Sequence, residues 1–358
     1  MERANNLSIT YKVNPLQWEE YVASKPDGKI YHLPQWNCVL ANSFGYKPFN
    51  IFALDGNENV CGILPLMLVK SWLTGNRLVS LPFSHIGGPL FDFEAALIEL
   101  IKEAIALKNR LRASNIEIRT IEGTETSDLT EETMKKAGFL MDETFSTFIL
   151  DITNVEQNWK KLNPKSTRWA IRKAAKQGVV ANRVPGVSGL KAFYKLNVET
   201  KSRLGVPAHP SAFFRNILNG LNENHSLYLA EYKQAVIAGM LNLEFNNSVI
   251  YGYSASTTKH RKYNATSLLI WAAIESAIHK GIKQFDFGRA SRNDCGLSSF
   301  KKHWGAQQIP LKYYYYPSIS STIRLEEGFL YDLVTRIWKI MPAFLTETLS
   351  KLLFRHLG

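Results

Sequence analysis

The feature that most constrains this chain is that its order of elements occurs twice. FNIFALDGNENVCGILPLML (49–68) holds two apolar runs split by Asp55-Gly56-Asn57, a hairpin signal. RLVSLPF (77–83) reads as a third strand. Residues 93–112 then set Ala96, Leu97, Leu100, Ile101, Ala104, Ile105 and Leu107 at helical spacing, and NIEIRTI (115–121) reads as the strand after that helix. The order returns in the second half. SLYLAEY (226–232), AVIAGMLNLEF (235–245) and SVIYGYSAS (248–256) read as strands. ATSLLIWAAIESAIHK (265–280) reads as a helix stopped by Gly281, with KQFDFG as the following strand. Ala53, Gly62, Leu64 and Leu66 match Ala230, Gly239, Leu241 and Leu243 at a constant offset (230 − 53 = 177). A period this long describes a duplicated domain, not a solenoid. The predicted fold is α/β, with mixed sheets flanked by helices in two similar domains, 1–150 and 151–318. A tail, 319–358, carries amphipathic helical spacing.

Between the repeats lies WKKLNPKSTRWAIRKAAKQGVVANR (159–183), with Lys160, Lys161, Lys165, Arg168, Arg172, Lys173, Lys176 and Arg183 and no acid. It concentrates much of the chain's net charge of +12. Asn163-Pro164 breaks the chain, and Ser166 or Thr167 can cap a helix over 163–178. Arg168 and Arg172, four apart, share a face of it. A charge run is usually a solvated face. The lack of any paired acid favours an anion site, because the guanidinium fork fits phosphate oxygens. No stripe of aromatics interleaved with basic residues marks a nucleic-acid platform.

FDFGRASRNDCGLSSFKKHWGA (285–306) leaves a strand and ends in a cationic-aromatic cluster. Connections past a strand end are common ligand positions. Arg289 fits such a place, or else pairs with Asp286. Asp286 is a candidate base or a salt-bridge partner. FKKHW either closes over a reacting group or caps the sheet. His32, His85 and His209 stand near Pro or Gly without metal spacing. Three scattered cysteines form neither a disulfide framework nor a zinc pattern, which fits a reducing cytosol. No signal-like N-terminus or membrane-spanning run appears. The tail's apolar face with Arg336, Lys339, Lys351 and Arg355 suits either packing on the domains or peripheral contact with the inner face of a membrane.

Several motifs resemble the FemAB-like proteins grouped with GNAT-type acyltransferases and found near bacterial exopolysaccharide genes. These are YHLPQW (31–36), GILPLMLVKSWLTGNRLVSLPF (62–83), GGPL (87–90), TRxxIRKAxKxG (167–178), GVPxHP (205–210) and DFGR…FKxHWGA. The resemblance covers about residues 30–316. It implies two tandem GNAT-like domains and transfer of an acyl or aminoacyl group to an amine of a cell-envelope, peptidoglycan or exopolysaccharide precursor. Carried over by position, Phe300 and Lys301 are catalytic candidates and Arg168, Arg172 and Tyr253 substrate-binding ones, while the residues themselves add Asp286 as a catalytic candidate. Arg289, His85 and Trp36 complete the substrate-binding ones. His85 stands where close relatives suggest an acid or asparagine.

No permanently bound cofactor is expected. The acyl donor is aminoacyl-tRNA or acyl-CoA. Arg261 would touch the latter, but HRKYNAT (260–266) lacks the glycines that wrap a pyrophosphate. Expected partners are an anionic, phosphate- or diphosphate-bearing glycan or lipid-linked acceptor, and tRNA. The alternatives are an acyl-CoA-dependent N-acyltransferase on a small amine and a non-catalytic scaffold in polysaccharide assembly.

Overall fold

The structure, a computed structural model, describes residues 6–72, 75–319, 338–339, 349–350 and 352–356. The predicted helical tail falls almost wholly outside the described residues. The chain packs as two units. One takes the residues up to Phe145, then Pro310 to 319 and 352–356; the other takes Ser146–Ile309 with 338–339 and 349–350.

The first unit opens with β1 (Ser8–Thr10), α1 (Pro15–Ser24) and α2 (Pro34–Phe44). Next come β2 (Lys47–Leu54), β3 (Val60–Val69), β4 (Arg77–Val79), β5 (Leu90–Phe91), α3 (Glu94–Arg110), β6 (Asn115–Ile121), α4 (Ser127–Lys136) and β7 (Leu140–Asp142). Asn14 caps α1 on the Leu16 amide, and Pro15 takes the first helical position, where no amide bond is missed. Every residue of β3 is buried, as a continuous apolar run requires of a central strand. The sheet runs β1-β2-β3-β4-β6. β4 and β6 are parallel because α3 supplies the crossover between them. RLVSLPF gives a shorter strand than expected. It ends at Val79, and Leu81 and Phe83 turn through φ 58° and 61°.

The second unit starts with β8 (Phe145–Asp151), α5 (Val155–Lys161), a π-helical turn (Pro164–Arg168), α6 (Trp169–Lys176) and β9 (Val180–Val184). Then come α7 (Leu190–Leu204), α8 (Ser211–Gly220), β10 (His225–Tyr232), β11 (Ala235–Phe245), β12 (Ser248–Ser256), a 3-10 segment (Thr258–Tyr263) and α9 (Ala265–His279). β13 (Gln284–Asp286), β14 (Ala290–Ser291) and α10 (Cys295–Lys302) complete it, and β15 (Gln307–Tyr316) follows, most of it in the first unit. The second unit's sheet runs β9-β10-β11-β12-β13-β8, with β12 and β13 parallel around α9. The strands that end the two repeats are exchanged. β8 follows the first repeat yet pairs with β13 in the second unit. β15 follows the second repeat yet pairs with β6 and β7 in the first.

The duplicated order is real, but the offset of 177 holds on only the first of the two matched strands. Leu64 and Leu66 pack with α3. Their sequence matches, Leu241 and Leu243, lie outside the core cluster that holds α9, where Ala238 and Met240 sit instead. Gly62 lies against Leu100 of α3, whereas Gly239 lies against Phe193 of α7. Ala53 and Ala230 lie in equivalent clusters, so the slip arises on the second strand, where side chains alternate and Gly62, Leu64 and Leu66 face opposite to their matches.

Candidate active site

β13 delivers a buried acid to the end of the second unit's sheet. Asp286 Oδ1 accepts from Thr147 Oγ1 at 2.6 Å and from the Gly288 amide at 2.7 Å. Gly288 turns through φ 70°, which only glycine adopts without strain. Lys301 reaches the same peptide from α10. Its Nζ donates to the Gly288 carbonyl at 2.7 Å and the Arg289 carbonyl at 3.0 Å, and lies 5.1 Å above the Phe148 ring. The Gly288 residue is thus held through its N–H by an acid and through its C=O by a cation. Lys301 is only 2% exposed. Desolvation pulls its ammonium down to about 8, against the raising influence of Asp286 and Asp294, with Arg289 lowering it further. Asp294 also caps α10 on the Leu297 amide.

Phe300 is half-buried and meets the fully buried Trp304 at 6.3 Å. The side chain of Arg289 points outward, and its carbonyl holds Lys301. Phe300, Lys301, Asp286 and Arg289 therefore gather at one strand end. The cap reading holds for Trp304 and Lys302 but not for Lys301, which is buried.

The basic segment is fastened to this place. The His303 carbonyl accepts from the Asn163 amide at 2.8 Å and from Thr167 Oγ1 at 3.1 Å, and His303 Nδ1 meets Ser166 Oγ at 3.2 Å. The residue after Thr167 is Arg168, and His303 is two residues after Lys301. The helix starts differently from the expectation. Asn163, not Ser166 or Thr167, is the cap, with Oδ1 accepting from the Lys165 and Ser166 amides. Asn163 wins because its side chain is free to fold back over the π-turn while both hydroxyls turn to His303. Arg168 Nε is buried with no hydrogen-bond partner among the described residues. Arg172 is exposed, its guanidinium 5.4 Å from the Trp159 ring. Beside it a shallow groove of about 550 Å³ is lined by Pro164, Trp169, Arg172, Lys173, Lys176 and Gln177.

Tyr253 lies on β12 just past a bulge, where Leu241 pairs with Tyr253 and Asn242 with Tyr251. The slip re-aims the side chains there. Its ring meets His209 at 5.4 Å, Phe213 at 5.7 Å and Phe214 at 5.2 Å, so GVPxHP forms an aromatic box with α8. Desolvation and nearby Lys201 hold His209 down to about 3, so its ring is neutral. Lys201 is a residue that sequence reasoning missed. It is largely buried, desolvation lowers its pKa, and it makes no ion pair with any described residue. Glu199 is two positions away on α7, where side chains do not face each other. That carboxylate instead accepts from the Thr258 amide.

Two candidates lie in the first unit. Trp36 is 0% exposed and packs edge-on against Tyr31, so it is a core residue in this structure. His85 is buried edge-on to Tyr31, and its carbonyl accepts from Tyr313. Arg261 is exposed in the 3-10 segment.

Residues 164–302 match the family described as Acetyltransferase (GNAT) domain. No curated protein matches the chain. Among solved structures it is similar to FemX over 92% of this chain and 100% of that one, with a TM-score of 0.72 and 18% identity. It is also similar to L-PGS from Bacillus licheniformis, with a TM-score of 0.59, 13% identity, and 92% and 98% of the two chains covered. A tandem GNAT protein from the clavulanic acid biosynthesis pathway follows at a TM-score of 0.53 and 11% identity, covering 88% and 100%. Residues 164–302 thus carry the GNAT acetyltransferase domain that the motifs resembled, and the whole chain shares the fold of FemX.

Proposed function

We propose that the protein moves an aminoacyl or acyl group from an activated donor to an amine of an anionic cell-envelope or exopolysaccharide precursor, at the end of β13. The observation that carries this reading is Lys301, a buried ammonium fixed to two carbonyls at a strand end. Acyl transfer builds an oxyanion and releases a leaving oxygen or sulfur, and a pre-placed cation stabilises both. Because Lys301 is buried, its field acts in a poorly screened site. Half-buried Phe300 beside it keeps water from the carbonyl.

Arg168, one residue from the His303 anchor, and Arg172 in the groove would hold acceptor phosphates. Tyr253 and its box would take an apolar or flat portion of a substrate. Lys301 acts here as a cation. The acceptor amine loses its proton to bulk base or to Asp286 if that carboxylate releases Thr147.

Fold likeness to L-PGS, a lysyl-phosphatidylglycerol synthetase, supports an aminoacyl donor and an anionic acceptor. A donor screen tests the reading. Charged tRNA pools, acetyl-CoA and longer acyl-CoAs are each incubated with the protein and a glycan-lipid fraction. Transfer from charged tRNA, lost in Lys301→Ala, is the expected result. Transfer only from a thioester would move the donor to acyl-CoA and make the 260–266 loop its site. Transfer from no donor, with diphosphate-lipid binding intact, would leave a scaffold.

A further inference from the structure

Folding makes a surface that the sequence keeps apart. The 3-10 segment TKHRKY (258–263) packs against α6, the helix that carries Lys173 and Lys176. Tyr232, at the end of β10, stacks on Tyr263 with centroids 4.2 Å apart and planes 29° apart. Lys233 lies 5.5 Å over the Tyr232 ring and Lys262 lies 5.3 Å over the Tyr263 ring. On α6, Lys173 lies 4.6 Å over Trp169. Neither 157–198 nor 245–274 contains an Asp or Glu, and the acids at the rim of this surface are Glu199, which accepts from the Thr258 amide, and Glu231, which pairs with Val180.

We propose that this face, α6 with the 3-10 segment and the Tyr232-Lys233 turn, docks the protein on an anionic lipid bilayer. Charge complementarity draws it to negative headgroups. The rings choose between bilayer and nucleic acid. Single-stranded nucleic acid stacks its bases on open ring faces. Here Tyr232 and Tyr263 use one face on each other and carry an ammonium over each ring. Apolar stems and rings with charged heads at the rim are how side chains anchor at a headgroup layer. Trp169 and Val180 are 54% and 53% exposed, apolar surface that a headgroup layer would cover and a phosphate backbone would not. The inference concerns where the protein works, and does not rest on the transfer chemistry.

Cosedimentation tests it, using phosphatidylcholine vesicles with and without phosphatidylglycerol. The full chain should bind only the phosphatidylglycerol vesicles. Lys233→Ala with Lys262→Ala should lower that partitioning about thirtyfold, from the usual contribution of two basic residues at an anionic surface. The same loss of charge at the opposite end of the second unit's sheet, Lys280→Ala with Lys283→Ala, should change it about twofold or less, because charges away from the docked face are screened. Equal losses from both pairs would overturn the proposal, since net charge alone would then explain binding. So would tight binding of single-stranded RNA oligomers by a wild-type protein that ignores the vesicles.

Discussion

Lys301→Met separates a catalytic cation from a cap on the sheet. Burial takes the Lys301 ammonium from 10.5 to about 8. At one pH unit per 1.36 kcal/mol, the charged form is disfavoured in the folded state by roughly 3 kcal/mol at neutral pH. Methionine removes that cost and keeps much of the packing. It also leaves the Gly288 and Arg289 carbonyls without their donor, a loss of about 1–3 kcal/mol for an unmet buried acceptor. The two nearly cancel. Urea unfolding at pH 7 should therefore show a change within about 1 kcal/mol, while transfer in the donor assay falls on the order of 100- to 1,000-fold, as when an oxyanion donor is removed. The pH dependence has a definite sign. The folded pKa lies below the unfolded one, so the unfolded chain binds more protons between about pH 8 and 10.5. This group's contribution to stability rises with pH across that window and is flat, at its least favourable, below it. Activity runs the other way, falling as the cation is lost through about pH 8, and Lys301→Arg should move that limb upward. If Lys301→Met unfolds the protein by more than about 3 kcal/mol while the surviving folded fraction transfers at the wild-type rate, the residue is structural and the reasoning is refuted.

Other outcomes follow from the same geometry. Asp286→Ala removes the acceptor for Thr147 and Gly288 and should cost about 2–4 kcal/mol by chemical denaturation, whereas Asp286→Asn, which keeps Oδ1, should cost less than half of that. Lys201→Met should raise the urea midpoint by about 1 kcal/mol in stability, because it replaces a buried cation that no described residue pairs. Gly305→Ala should cost roughly 2 kcal/mol in thermal unfolding, since Gly305 sits at φ 81° and a Cβ would lie 3.0 Å from that of Lys161.

The regular part of this fold was legible because period-2 and period-3.6 patterns are local. β2, β3, α3, β10, β11 and α9 can all be read from single runs of residues. The closing strands were not legible. QQIPLKYYYY lacks clean alternation, and its partner β6 lies almost 200 residues away. The grouping of Asp286, Arg289 and Lys301 could be read because one short motif carries all three. Lys201 has no described counter-ion, because Glu199, two positions away on α7, faces another side of the helix. Two further facts depended on tertiary contacts. Trp36 is spent on the core. Tyr232 and Tyr263 meet across thirty residues of sequence (263 − 232 = 31).

The exchanged strands also set a timetable for synthesis. A chain emerging N-terminus first exposes β6 and β7 long before β15 leaves the ribosome, so the first unit's sheet waits with an open edge. The second unit has the opposite order, with β8 already made before β13 appears. Both sheets are completed only near the end of translation. A nascent chain stalled at about residue 250 should hold neither domain closed, although all of the first repeat has been made. The duplication thus gave the molecule two domains but a single moment of folding.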